Sequence, residues 1–347
     1  MYQIQDEILD QFSALIKTNN HILSKEKEII DYFSEAKKVI ILGAGSSFSL
    51  AKSFAAQLMM MGGYLAFAVA AGDYLVNSSA YRKLTNNAFL ITISRSGTTT
   101  EIIRALNLAK RQGAKKNLSL CALKDAEISD ISDINIELPW CFDKAICQTR
   151  TVTNFYAAGL MISAILAKDA NVKNALLSAP RFFNDFREVA DEHLRRIANV
   201  QWERAVVLAD AGVAGLAEEG ALAFKEICRH QSNFYHVLDI RHGPIVLIDE
   251  KTLVLHFVTS ENQKLQQDLG RDIKRKGAKY VAMDCNQNSV MDIADELFIL
   301  PQVGDDKVAA IYMMYCIHMI TYVKALNNHV NPEEPAGLTA WITLEDK

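Results

Sequence analysis

Apolar residues fall along this chain in short runs that alternate with longer segments of helical spacing. Lys38 to Leu42 is a run of β-branched and aliphatic residues, followed by the small-residue turn Gly43-Ala44-Gly45-Ser46-Ser47 and then by a helical pattern. Arg204 to Ala209 begins the same way and runs through Gly212 and Gly215 into a second helical pattern. A further pair starts at Phe89 and at Leu253; each is a strand, a turn and a helix, ending respectively in Lys110-Arg-Gln-Gly-Ala-Lys115 and Lys274-Arg-Lys-Gly-Ala-Lys279. The chain is therefore an internal duplication. Strands alternating with helices predict an α/β fold in which each half is a parallel sheet flanked by helices, three layers deep, with ligands beyond the carboxyl ends of the strands.

The same pattern divides the chain. Residues 1–35 are helical in spacing, 36–175 form a first domain, 176–200 a charged linker helix running from Pro180 to Asn199, 201–330 a second domain, and 331–347 a tail. The tail opens with Pro332 and Pro335 and passes into the alternating segment Leu338 to Leu344, expected to lie across a domain or a neighbouring subunit. Asn154 to Ala167 is apolar enough for a buried helix. Val308 to Val323 is the most apolar stretch, but it carries His318 and falls short of the roughly 20 residues of a membrane span, so a buried helix is expected there.

Within this frame, Ile91 to Glu101 stands out. A β-branched strand enters Ser94-Arg95-Ser96-Gly97-Thr98-Thr99, and a helix follows. Glycine permits close backbone approach to an anion, hydroxyls donate hydrogen bonds, and the first amides of a helix present the positive end of its dipole. Serine and threonine also cap helices without binding anything. No lysine stands in a Walker spacing, so a small phosphorylated molecule is expected rather than a nucleoside triphosphate. The second copy reads Val258-Thr-Ser260-Glu261-Asn-Gln; the carboxylate of Glu261 replaces the glycine, which predicts a single phosphate site per chain, in the first half.

Composition narrows the partners. With 347 residues, 50% of them hydrophobic, and a net charge of -4, the chain has the makeup of an ordinary globular protein. Basic residues are scattered rather than striped, and no helix-turn-helix with a basic face precedes residue 38, so no nucleic-acid partner is expected. The polar N-terminus lacks a signal-peptide pattern, and no membrane partner is expected. The 6 cysteines lack C-x-x-C spacing and read as buried thiols of a reducing cytoplasm. Neither they nor His230 and His236 have metal-ligand spacing, and neither metal nor cofactor is expected. Gly43-Ala-Gly45 suggests a dinucleotide fingerprint, but Phe48 stands at its third glycine.

Two further residues are candidates for chemistry. Glu226 lies in the helical segment Glu219 to His230, and His242 precedes Gly243-Pro244, a setting that favours a loop presenting a side chain.

Six tracts in order, Glu7 to Gln11, Gly43 to Ser47, Ser94 to Thr99, Gln148 to Arg150, Glu219 to Ile227 and Arg241 to Pro244, make the chain resemble the sugar isomerase (SIS) family over nearly its whole length. It is most similar to the isomerase portion of glucosamine-6-phosphate synthase and to fructosamine-phosphate deglycases. The resemblance implies two tandem SIS domains. It implies that Ser94, Arg95, Ser96 and Thr99 hold a sugar phosphate, while Ser46, Ser47, Ile146 and Gln148, with Cys147 between the last two, line the sugar. Glu226 matches the base that moves a proton between C1 and C2. His242 matches the ring-opening histidine, which in relatives comes from the partner subunit, so a homodimer or higher homo-oligomer is implied.

Departures from the family matter as much. Ala223 and Ala340 stand where the synthase has lysines, Arg95 stands where it has glutamine, and neither a glutaminase domain nor a cysteine after Met1 is present, so no glutaminase activity is expected. The expected substrate therefore carries its own amine, as an N-substituted fructosamine or glucosamine 6-phosphate does, and the expected chemistry is of deglycase or deaminase type. A simple aldose–ketose isomerase, a glucosamine-6-phosphate deaminase and a non-catalytic sugar-phosphate sensor remain as alternatives. Arg150, Tyr235 and Trp341 are candidates for the end of the pocket that meets the substituent.

Overall fold

Each half of the chain builds its own parallel sheet. The structure is a computed structural model and describes residues 2–340 and 342–344. In the first half β1 (Lys38–Gly43), β2 (Leu65–Ala70), β3 (Phe89–Ser94), β4 (Lys116–Cys121) and β5 (Ile134–Glu137) take the order β2-β1-β3-β4-β5. In the second half β6 (Arg204–Leu208), β7 (Gln231–Tyr235), β8 (Thr252–Val258), β9 (Lys279–Asp284) and β10 (Glu296–Ile299) take the order β10-β9-β8-β6-β7. Counted within each half, both orders are 2-1-3-4-5, and every strand pair is parallel. The duplication legible in the sequence is a duplication of topology.

Two compact units divide the chain. One comprises residues 9–173 with 339–347; the other comprises 1–8 with 174–338. The Gln3–Ser24 helix thus begins in one unit and continues in the other, and the tail divides after Leu338.

The central strands are buried on both faces, as an enclosed parallel sheet requires: all six residues of β3 and all seven of β8 are buried. In the first unit the Ser46–Gly62 and Arg150–Leu166 helices pack closely because Gly159 has no side chain; a Cβ there would lie 3.0 Å from the Phe54 ring. That contact fixes two helices whose N-terminal ends carry candidate site turns.

Several local expectations are refined. The linker helix does not start at Pro180: Ala179–Phe182 is a 3-10 turn and the α-helix runs Phe183–Asn199. The apolar stretch becomes the Asp306–Asn327 helix, whose most apolar 18-residue window is buried inside the protein. The alternating tail forms no strand among the described residues. Of the cysteines, five are buried and Cys285 is half-buried, all as free thiols.

Candidate functional site

The 2-1-3-4-5 order puts the reversal of strand order between β1 and β3, where the turns leaving adjacent strands diverge and open a crevice. Those two turns are Gly43 to Ser47 and Ser94 to Thr99. The parallel register pairs Leu42 with Thr92, so both turns leave the same edge of the sheet side by side.

In the second turn, three hydroxyls converge. Thr99 Oγ1 lies 3.4 Å from both Ser94 Oγ and Ser96 Oγ. The turn is shaped from within, since the Gly97 amide donates to Ser94 Oγ at 3.1 Å and the Thr98 amide to Ser96 Oγ at 3.2 Å. Gly97 has φ +65, and a Cβ on it would lie 2.5 Å from Ala126 Cβ and 2.8 Å from Cys121 Sγ, so glycine is required both by conformation and by space. The Thr100–Arg111 helix then starts beside the hydroxyls with its positive pole toward them. Ser94 and Ser96 are buried, Thr99 is half-buried and Thr98 is exposed.

Arg95 makes contacts that its neighbours do not. Its side chain is buried; Nη1 donates to the carbonyls of Ala145 at 2.8 Å and Ile146 at 3.0 Å, and Nη2 donates to the carbonyl of Ala340 at 2.7 Å. Phe142 lies beneath the guanidinium, 5.9 Å from Cζ to the ring centroid. Both Nη atoms of Arg95, which the resemblance implies as a phosphate contact, donate to main-chain carbonyls.

The neighbouring turns complete this face of the unit. Ser46 and Ser47 are buried at the start of the Ser46–Gly62 helix, after Gly45 at φ +54. Gly43 permits that sharp exit, since a Cβ there would lie 2.4 Å from the Ser47 carbonyl oxygen. Ile146 and Gln148 are half-buried in the turn before the Arg150–Leu166 helix. Asp143, a residue the sequence reading passed over, caps that helix: Oδ2 accepts from the amides of Thr149 at 2.8 Å and Thr151 at 2.9 Å. Arg150 braces it, with Nε 3.8 Å from Asp143 Oδ1 and Nη1 2.7 Å from Asp10. Burial raises the Asp143 carboxyl above its usual range, against the opposing pull of the two amides and Arg150. An aspartate six residues ahead of a threonine-rich helix start was the available signal, and it is too common to have singled this one out.

In the other unit, Glu226 is the last residue of the Ala214–Glu226 helix, half-buried, ahead of buried Ile227 and Cys228. The helix thus ends earlier than its sequence spacing to His230 suggests, where Arg229 takes a left-handed φ of +58. His242 is exposed at the end of the Asp239–Arg241 3-10 turn, and its amide donates to Asp239 O at 2.9 Å. Arg241 ties this turn down through an ion pair with Asp272 at 2.6 Å. Tyr235 ends β7, Arg150 belongs to the brace just described, and Trp341 lies outside the described residues.

The second copy of the cradle turn is bonded to a carboxylate of its own unit. Ser260 donates through its amide at 2.7 Å and its hydroxyl at 2.8 Å to Asp306 Oδ2, at the start of the Asp306–Asn327 helix. The expectation there was repulsion by Glu261; Glu261 is exposed, and the carboxylate engaged by the turn is that of Asp306. Among the described residues, no group of three or more His, Cys, Asp or Glu side chains is placed to hold a metal ion.

Comparison with known proteins agrees with this architecture. Glutamine–fructose-6-phosphate aminotransferases are among its relatives: that of Sulfurisphaera tokodaii is 25% identical over 321 residues, covering 92% of this chain and 52% of the relative. That of Haemophilus influenzae is 24% identical over 372 residues, covering 99% and 59%. The chain thus spans between half and three-fifths of the length of those relatives. Among solved structures, tagatose-6-phosphate ketose/aldose isomerase from Escherichia coli superposes with a TM-score of 0.86 at 21% identity, covering 99% of this chain and 96% of that one. Glucosamine-6-phosphate deaminase from Thermotoga maritima gives 0.74 at 21% identity, covering 94% and 100%. The sequence model of the SIS domain matches twice, over residues 32–166 and 200–326, once for each sheet. With both halves matched, the chain belongs to the SIS domain family.

Proposed function

We propose that this protein is a phosphosugar-processing enzyme acting on an amino- or N-substituted fructosamine or glucosamine 6-phosphate, by deglycase or deaminase chemistry. The observation that carries the reading is the three-hydroxyl cluster of Ser94, Ser96 and Thr99 at a helix N-terminus on the strand-order switch of the first sheet. A phosphate accepts several hydrogen bonds at once, and this turn offers hydroxyl donors from both sides of Gly97. The relatives bear the names of aminotransferases, an isomerase and a deaminase of sugar phosphates, which supports the substrate class.

In this reading Glu226 removes the proton from C1 of an open-chain ketoamine phosphate. The resulting enaminol is reprotonated at C2, which leaves an imine at C1, and water cleaves the imine to an aldose phosphate and the free amine. His242 exchanges the proton that opens the sugar ring, work suited to an imidazole, which can both donate and accept a hydrogen bond. Ala223 and Ala340 at the two lysine positions of the synthase are consistent with a substrate that brings its own nitrogen. A homodimer in the cytoplasm, without metal or cofactor, accompanies this reading.

The alternative is an aldose–ketose isomerase using the same two residues without an amine leaving group. Incubation of the purified protein with fructosamine 6-phosphates and with unsubstituted hexose 6-phosphates separates the two. Release of amine or ammonia with appearance of an aldose phosphate supports the proposal; interconversion of unsubstituted sugars alone supports the isomerase, and binding without any turnover supports a sensor.

A further inference from the structure

We propose that Arg95 is a positioning residue: it fastens the sugar-lining turn and the C-terminal tail to the phosphate cradle, and does not itself bind the phosphate. This deepens the phosphosugar reading and rests on it for the identity of the ligand.

The argument starts from what the guanidinium touches. Arg95 sits in the middle of the cradle sequence, yet Nη1 bridges the adjacent carbonyls of Ala145 and Ile146, and Nη2 holds the carbonyl of Ala340. A planar fork with several rigidly spaced donors suits this task, and a lysine ammonium on a flexible stem does not. The Arg95 carbonyl accepts from the Ala122 amide at 3.1 Å, so the residue is anchored by its main chain to the segment beyond β4 while its side chain reaches the other two segments.

Both of those segments are secured a second time. The 145–148 turn is held from its far end by Asp143 on the amides of Thr149 and Thr151. Beyond Ala340 the tail runs along the first turn of the Thr100–Arg111 helix: the Thr100 amide donates to Ile342 O at 3.4 Å, the Leu344 amide to Thr100 Oγ1 at 3.3 Å, and Arg104 Nη2 to Leu344 O at 3.3 Å. The tail is thereby a strap across the helix start that follows the phosphate hydroxyls. Arg95 thus bonds both the strap and the sugar-lining turn. Its consequence is a division of labour, in which the hydroxyls and helix amides take the phosphate and Arg95 sets where the sugar-contacting residues stand.

The test compares the full chain with R95K and R95Q. Calorimetric titration with inorganic phosphate and with fructose 6-phosphate measures the anion's share of affinity and the further gain from the sugar; hydrogen exchange follows the amides of residues 145–151 and 342–344. The proposal expects R95Q to bind inorganic phosphate within about threefold of wild type, to lose about tenfold or more of the extra affinity for fructose 6-phosphate, and to exchange faster in both segments. R95K, which keeps a charge but only one nitrogen, is expected to retain part of the sugar increment and stands in if R95Q does not fold. A loss of about tenfold or more in inorganic phosphate affinity in either variant would make Arg95 an anion ligand and overturn the proposal. Unchanged exchange in both segments would overturn it as well. If the wild-type chain binds neither ligand, the phosphosugar reading fails, while the exchange comparison still decides whether Arg95 holds the two segments.

Discussion

The guanidinium of Arg95 and the main-chain carbonyl of Ala340 lie 2.7 Å apart although 245 positions separate them in the chain. The family resemblance draws attention to residue 340 for a side chain it lacks, whereas the structure uses its carbonyl. Because that carbonyl and those of residues 145 and 146 share one arginine, the geometry around the candidate phosphate turn depends on contacts that no local pattern specifies.

Gly97→Ala tests the cradle itself. The added methyl would meet Ala126 and Cys121 at distances no Cβ tolerates, on a backbone with φ +65. We expect destabilisation of about 2–4 kcal/mol, read as a shift in urea midpoint, and loss of inorganic phosphate binding in whatever fraction remains folded. A variant with unchanged stability and unchanged phosphate affinity would show that the turn is not built around this residue.

Thr99→Val removes the hydroxyl that lies within 3.4 Å of both serines while preserving the shape of the side chain. A hydrogen bond to a charged ligand contributes about 1.5–3 kcal/mol, so phosphate affinity should fall roughly ten- to hundredfold, and Thr99→Ser should restore most of it. Titration of both variants with inorganic phosphate checks this. Equal affinities for Val and Ser would remove Thr99 from the site.

Glu226→Gln should leave inorganic phosphate binding unchanged and lower turnover of a fructosamine 6-phosphate by about a hundredfold to ten-thousandfold, the usual contribution of a positioned general base. Retained turnover would reassign the base. Mixing Glu226→Gln with His242→Asn chains asks in addition whether sites are shared between subunits, with recovered activity as the expected result.

The response to pH should be dominated by buried histidines. His256 and His318 are both fully enclosed, and burial pushes each down to about 3 from an ordinary 6.5. Their folded state stays neutral where the unfolded chain takes up protons. Stability is therefore intact above pH 6.5 and is lost as pH falls from 6.5 toward 3, by up to about 1.4 kcal/mol per pH unit for each histidine. His256 has Tyr280 Oη 2.7 Å from Nδ1; neither nitrogen of His318 has a hydrogen-bond partner among the described residues. His318→Leu should accordingly stabilise the protein by about 1–3 kcal/mol, more so at pH 5 than at pH 7, in urea titrations at the two pH values. A variant destabilised at both pH values would count against the ring being a buried polar group without compensation.

Much of this site could be read directly from the chain. The turn at 94–99, its glycine and the helix after it are local, and their hydroxyls lie together because residues three and five apart in a tight turn must be neighbours. The turn carrying Ser46 and Ser47 was legible as the exit from a strand into a helix, while their place in the site came from the family resemblance. Asp143 was not, since its function comes from capping a helix whose start lies beyond a turn of irregular backbone. Nor was Asp306 legible as the occupant of the second copy's turn: the acid visible in sequence at that turn, Glu261, faces outward, and the acid that bonds Ser260 arrives from 46 residues further on.

By itself, then, the order of apolar and polar residues determined the strands, the helices, the duplication and the location of a hydroxyl-rich turn, because burial of one face per element writes a period into the chain. Tertiary structure alone decided which turns adjoin at the strand-order switch, which carbonyls Arg95 holds and which carboxylate Ser260 bonds in the second copy. Those contacts join segments up to 245 residues apart, and a buried polar group takes whichever partner the fold brings within reach, so their identity depends on topology and not on local period.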